Sequence, residues 1–198
     1  MSTIQSGKKN TKILLISYFS VFIAVLLDQL TKYLADIYLK GKAPFVLIPG
    51  VFELNYLENQ SAAFSLDPVS ILHRIFNFSY FNENPDAFLM CKMAFFIVLT
   101  AVVILLLILL YRKIPSNRHW MPLNLIILGF MAGANGNLID RVVHNYVIDF
   151  FYFKLINFPV FNVADIYVTV TFFVLVLLIF FYYKDEDFEV YSVKPFKK

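Results

Sequence analysis

Long, unbroken apolar stretches organise this chain, in place of the alternation of strands or the stripe of a soluble helix. Four segments reach the roughly 20 mostly apolar residues that a bilayer span needs: about 13–35, 91–111, 121–139 and 163–183. The second and fourth contain the charge-free runs Phe95–Leu110 and Val168–Tyr183. The third is less apolar, broken by Gly129, Gly133, Gly136, Asn135 and Asn137. Its Gly129-Phe-Met-Ala-Gly133 step is a GxxxG pattern, which lets helix backbones approach closely in lipid and predicts a packed, internal helix. Lys8, Lys9 and Lys12 before Ile13–Leu27 have the outline of a signal peptide. No small-residue cleavage pattern follows them, so this stretch is expected to be a retained first helix.

Between the spans the pattern changes. Phe45–Ile48 and Val51–Leu57 flank Pro49-Gly50, a strong turn signal, and predict two short strands. Tyr146–Phe153, rich in β-branched and aromatic residues, can add a third. The 65–90 stretch carries a polar run at 82–86 that reads as an exposed tip, and the last fifteen residues read as a solvated, charged tail. The expected fold is an all-α membrane protein: four transmembrane helices with a small extracytoplasmic β-rich subdomain at about 40–64. Residues 1–198 then form a single integral membrane domain.

Composition supports that reading. The chain is 60% hydrophobic and only 16% charged, with a mean hydropathy of +0.69, whereas soluble domains carry roughly a quarter charged residues. Its one cysteine, Cys91, excludes an internal disulfide or a thiolate metal cluster. His73, His119 and His144 lack metal-ligand spacing. The net charge of +3 matters less than where the cations fall. Lys and Arg gather in the N-terminal tail, in the 111–120 loop (Arg112, Lys113, Arg118) and after residue 183, and they are sparse in the 40–89 and 142–162 loops. By the positive-inside tendency both termini are cytoplasmic and the two longer loops face outward.

Ionisable groups near bilayer depth are expensive and usually functional. Here the polar residues form short clusters, all near the expected outer ends of spans: Asp28 with Lys32, Glu58-Asn59, Asn137 with Asp140-Arg141, Asp149, and Asn162 with Asp165. Each has an ordinary structural explanation. Asp28 and Lys32 are spaced as an i,i+4 ion pair. Asn137, Asp140 and Arg141 share a helix face and form a polar helix end. Asn162 with Asp165 has the spacing of an N-cap and its N3 acid, and Asp149 alone can be a rim residue of an exposed strand. Their convergence on one side points instead to a site at the outer membrane face.

Read in order, these clusters resemble the signature of lipoprotein signal peptidase, the type II signal peptidase of bacteria. The resemblance rests on Asp28 and Lys32, Asn59 followed by Ala62-Ala63-Phe64, Gly136-Asn137-Leu-Ile-Asp140-Arg141, Val147-Ile-Asp149-Phe150 and Phe161-Asn162-Val-Ala-Asp165. It covers about residues 13–183. Ser61 stands where the family favours Gly, Asn135 interrupts the Gly-rich run, and the 65–90 stretch is longer than is typical.

The resemblance implies an intramembrane aspartyl endopeptidase that removes the signal peptide from diacylglyceryl-modified prolipoproteins, cutting just before the lipidated cysteine. Asp149 and Asp165 would be its catalytic pair. Asn137, Asp140, Arg141 and Asn162 would support the pair and hold the substrate backbone. Asn59 would line the substrate path, and Asp28, with Lys32 nearby, would contact the peptide or its lipid-linked region. It implies no cofactor and no metal. The partners would be lipid-modified prolipoproteins and membrane lipids, with no nucleic acid, acting on a monomer in the bacterial cytoplasmic (inner) membrane. Physically, two carboxylates forced together share a proton, so one serves as base and the other as acid. Ile148, Phe150, Val163 and Ile166 would desolvate this pair. Two rival readings stay open at this stage: a proton relay through Asp28, Asp140 and Asp165, and a scaffold in which the polar groups only bind helices together.

Overall fold

The computed structural model describes residues 9–61, 67–184 and 186–187. The expected turn at Ala62-Ala63-Phe64, Lys8 and nearly all of the charged C-terminal tail lie outside the described residues. Helices α1 (Thr11–Leu39), α4 (Pro85–Lys113), α5 (Met121–His144) and α6 (Val163–Phe181) are each long and apolar enough to cross a membrane. They are the four expected spans, extended mostly at their ends. A 29-residue helix such as α1 or α4 is about 43 Å long, against roughly 30 Å of hydrocarbon. Both therefore protrude beyond the apolar layer.

Local sequence chemistry sets the ends. Asn10 caps α1, its side chain accepting from the Ile13 amide at 2.8 Å. Pro85 opens α4, and Pro115 follows its C-cap residue, Ile114. Asn145 closes α5 in the left-handed conformation, at φ 63°.

The four spans are not equivalent. Buried residues make up 39% of the most apolar window of α5, but 11% or less in the other three. α5 is therefore the central helix, packed against α1, α4 and α6. The other three turn large apolar side chains such as Phe19, Leu106 and Phe180 outward, as lipid contact requires. The GxxxG step explains how α6 comes so close. A Cβ at Gly133 would lie 2.6 Å from the Ala164 carbonyl oxygen, and one at Gly129 would lie 2.2 Å from Thr171 Cγ2. At the end away from the sheet, Val21, Val25, Tyr111, Ile127, Met131 and Trp120 pack into the main core.

At the other end the connections form a three-stranded antiparallel sheet, β1 (Phe45–Ile48), β2 (Phe52–Asn59) and β3 (Val147–Phe153), in that order. Pro49-Gly50 makes the turn expected between β1 and β2, and Gly50 takes φ 73°, a value that suits glycine. The expected third strand is present and lies beside β2. Beneath it Ala35, Ile148 and Phe150 form a second small core that seats the sheet on α1. The 65–90 stretch is not a loop. Its described residues, 67–90, fold into α2 (Pro68–Phe76), α3 (Ser79–Glu83) and the start of α4, with Asn82, Glu83, Pro85 and Asp86 exposed as expected of the tip.

Candidate active site

Asp149 lies on β3, and both faces of that stretch are covered, so it is 1% exposed. Its Oδ2 accepts from Asn59 Nδ2 at 2.8 Å and its Oδ1 from Asn162 Nδ2 at 2.6 Å. The first bond follows from sheet register. Leu57 pairs with Asp149 and Asn59 with Val147, so Asn59 lies diagonally across from the carboxylate.

Asp165 sits at N3 of α6, where the capping box expected from its spacing is complete. Asn162 Oδ1 accepts from the Asp165 amide at 3.0 Å, and Asp165 Oδ2 accepts from the Asn162 amide at 3.2 Å. The second oxygen of Asp165 is left for Asn137, whose Nδ2 donates to it at 2.8 Å. The capping and site readings of this motif therefore hold together. The cap orients one oxygen and frees the other.

Asn162 and Asn137 link the two carboxylates. Asn162 Nδ2 also reaches Asn137 Oδ1, at 3.1 Å. That oxygen further accepts from Lys32 Nζ at 2.9 Å. An ammonium can only donate, so Lys32 fixes the Asn137 amide with its NH₂ toward Asp165.

Lys32 is 1% exposed and lies between Asp28 Oδ2 (2.9 Å) and Asp140 Oδ2 (3.1 Å). The pair expected on a helix face is thus a buried three-membered network spanning α1 and α5. Asp28 Oδ1 accepts from the Ala164 amide at 2.8 Å, which fastens α1 to the first turn of α6. Asp140 Oδ2 accepts from the Ile148 amide at 3.0 Å, which fastens α5 to β3. Asp140 and Arg141 lie within α5, which runs on to His144 instead of closing beside them. Arg141 donates to the Ser61 carbonyl (3.1 Å) and the Asn137 carbonyl (3.3 Å), with its guanidinium over the Phe96 ring. Its Nε is buried without a hydrogen-bond partner among the described residues.

Every residue expected at the site lies in this one network, though not all in one role. Asp149, Asp165, Asn59, Asn137 and Arg141 line a cavity of about 1010 Å³, whereas Asp28, Lys32, Asp140 and Asn162 do not. The remaining wall is largely apolar, with Phe96, Leu99 and Val103 from α4 and Ile166, Val168 and Val170 from α6.

Two features were not anticipated. Gln29 donates to Asp140 Oδ1 (2.9 Å) and to the Gly136 carbonyl (3.1 Å), and its place beside Asp28 was the one available signal. Gly136 itself is required by contact, since a Cβ there would come within 2.5 Å of Asp28 Oδ2.

The division of donors decides the electrostatics. Lys32 is committed to Asp28 and Asp140, while neutral amides hold Asp149 and Asp165. A directly bonded lysine would lock both members of the pair in the charged form. Burial instead pushes the Asp149 carboxyl up to about 7, the nearby Asp165 charge adds to the rise, and the Asn59 and Asn162 bonds oppose it. Such a pair can hold one proton between two carboxylates near neutral pH. The polar network also stops at this end. Farther along α5, Ile126, Ile127 and Met131 are buried, and among the described residues no buried carboxylate carries the network on through the bundle as a relay would need.

Comparisons with known proteins identify the family. Residues 20–181 match the family described as Signal peptidase (SPase) II. A lipoprotein signal peptidase of Caldanaerobacter subterraneus subsp. tengcongensis is 40% identical over 151 residues, covering 76% of this chain and 86% of that one. One from Streptococcus pyogenes serotype M5 (strain Manfredo) is 34% identical over 171 residues, covering 85% and 93%. Among solved structures, one described as a bacterial membrane enzyme superposes with a TM-score of 0.64 at 24% identity, over 92% of this chain and 94% of the other. With a family match across most of its length, relatives at 34% and 40% identity and four helices long and apolar enough to cross a membrane, this chain belongs to the signal peptidase II family and is a multi-pass membrane protease.

Proposed function

We propose that Asp149 and Asp165 are the catalytic pair with which this protease removes signal peptides from prolipoproteins, cutting immediately before a diacylglyceryl-modified cysteine. The observation that carries the reading is the pair's setting: two carboxylates held by neutral amides at the wall of a large apolar cavity. In the reaction, the ionised member takes a proton from a water molecule. The resulting hydroxide adds to the scissile carbonyl carbon while the protonated member gives its proton to the carbonyl oxygen. The tetrahedral intermediate collapses when a carboxyl proton passes to the leaving amide nitrogen, a hydroxyl of the intermediate returns its proton to the other carboxylate, and the C–N bond breaks. One carboxylate is left ionised and one protonated, as at the start. Two carboxylates and a water supply all the protons that move.

The supporting residues divide by position. Asn59 and Arg141 line the cavity, where Asn59 would flank the substrate path and the unpaired Arg141 Nε would donate to a substrate carbonyl. Asn137 and Asn162 aim the two carboxylates, while Asp28, Lys32 and Asp140 fix the elements that carry them. The cavity wall built by α4 and α6 suits a substrate that arrives laterally, its acyl chains staying among membrane lipids while the peptide reaches the pair. With the cations clustered at the termini and in the 111–120 loop, the termini face the cytoplasm. The site then lies near the outer face of the bacterial cytoplasmic membrane. A single chain carries every group that the reaction uses, so the monomer suffices.

The test is cleavage of a diacylglyceryl-modified prolipoprotein by purified protein in lipid–detergent micelles, read by gel shift, with the product mass locating the cut. Asp149→Asn and Asp165→Asn, each shown to be folded, should each slow cleavage by about a thousandfold, within the range of general acid–base catalysis. Near-normal turnover by either folded variant removes that residue from the pair.

A further inference from the structure

Helix α4 carries a charge that the reaction does not use. Lys92 lies one turn before Phe96, is buried, and pairs with Asp67 Oδ2 at 3.0 Å, the two side chains being only 10% and 12% exposed. A lysine buried on a membrane-spanning helix is costly unless it is paired and serves some end. Its partner is well placed. Asp67 is the N-cap of α2, with Oδ1 accepting from the Ser70 amide at 2.9 Å, and Asp67, Pro68 and Ile71 line the same cavity as the carboxylate pair.

α2 has no core of its own: none of its residues is buried, and Leu72, Ile75 and Phe76 are exposed. What holds it to α4 is the ion pair at its start and a ring cluster farther on. In that cluster His73 lies 4.8 Å and Phe81 5.5 Å, centroid to centroid, from Phe88 of α4. The ring cluster grips the far side of the helix. Among the described residues, the ion pair is the polar tie between α4 and the end that forms cavity wall.

We propose that Lys92 is a positioning residue for substrate: its ion pair with Asp67 sets α2 as one wall of the cavity and so governs how tightly substrate is held. It does so without touching the reacting atoms. The proposal rests on the cavity being the substrate site, and it assigns Lys92 and Asp67 to affinity and not to the chemical step.

The experiment measures initial cleavage rates against concentration of diacylglyceryl-modified prolipoprotein in mixed micelles, for the full-length wild type, Lys92→Met, Lys92→Arg, Asp67→Asn and the double variant Lys92→Met/Asp67→Asn. Asn still caps a helix, so Asp67→Asn removes the ion pair and leaves α2 able to form. Lys92→Met and Asp67→Asn should each raise KM about tenfold with kcat within about twofold of wild type, because uniform binding is lost and the chemistry is not. The double variant should be no worse than either single one, as coupled residues behave. Lys92→Arg should restore KM. Amide hydrogen exchange in 68–76 should quicken in the two single variants. That arm still tests the proposal if Lys92→Met is poorly folded, since Asp67→Asn must show it alone. An unchanged KM in folded Asp67→Asn, effects that add in the double variant, or a fall in kcat alone overturns the proposal. Failure of the wild type to cut the lipidated substrate overturns the underlying reading instead.

Discussion

At the residue scale, the site separates charge that holds structure from the carboxylate pair proposed to do the chemistry. Lys32 bridges Asp28 and Asp140 in a buried cluster, while Asp149 relies on two asparagine amides. The consequence is a pH dependence. The Asp149 carboxyl is raised to about 7 from an ordinary value of 3.8, so the folded protein binds a proton there more tightly than the unfolded chain does. Its contribution to stability is therefore complete below about pH 4 and is lost as pH climbs to about 7. Activity should show an alkaline limb near pH 7, where the pair loses its shared proton, with the apparent value belonging to the pair. A profile of kcat/KM between pH 5 and 9 checks this, and a flat line through 7 would contradict the shared proton. The melting temperature should meanwhile fall between pH 4 and 7 in the wild type and fall less in Asp149→Asn.

At the scale of elements, the start of α6 does two jobs with the same atoms. Asn162 caps the helix through Oδ1, and its Nδ2 reaches the Asp149 carboxylate, the Asn137 amide and the Ile148 carbonyl. Serine caps helices about as well as asparagine but has no amide to donate, so substitution separates the jobs. Asn162→Ala should lose about 1 kcal/mol more stability than Asn162→Ser, the usual worth of a cap. Both should lose most of their activity. If Ser restores activity together with stability, capping is the whole role of this residue. The i,i+3 spacing of Asn162 and Asp165 announces the cap plainly. It does not announce that the side chain's other end bonds a carboxylate on a separate strand.

At the scale of the whole molecule, α5 is the shared wall against which the other spans pack, and the sheet closes one end. Exposed apolar side chains on α1, α4 and α6 leave lipid as the outer solvent. Up-and-down threading of the spans puts Ser116, in the loop after α4, at the end opposite Asn82, and both are exposed. With the termini in the cytoplasm, Asn82→Cys in a Cys91→Ser background should react with an impermeant maleimide added to intact cells. Ser116→Cys should react only after the membrane is opened. The reverse pattern would invert the proposed orientation and move the site to the cytoplasmic face.

The spans, the Pro49-Gly50 hairpin, the α6 cap and the close-packing face of α5 were all legible in the sequence. Each depends on neighbours along the chain: apolar length, turn chemistry, or a spacing of three or four residues. The polar clusters were also visible as a set, and so was their family pattern. Tertiary structure alone decided which partner each takes. Lys32 joins Asp28 to Asp140, a residue on another helix. Asn59 reaches Asp149 through strand register, and Lys92 finds Asp67 across the 65–90 stretch, which folds into helices. These contacts join residues distant in the chain, and linear spacing carries no information about them. Their strength comes from burial in a medium of low dielectric, which exists only once the helices have packed.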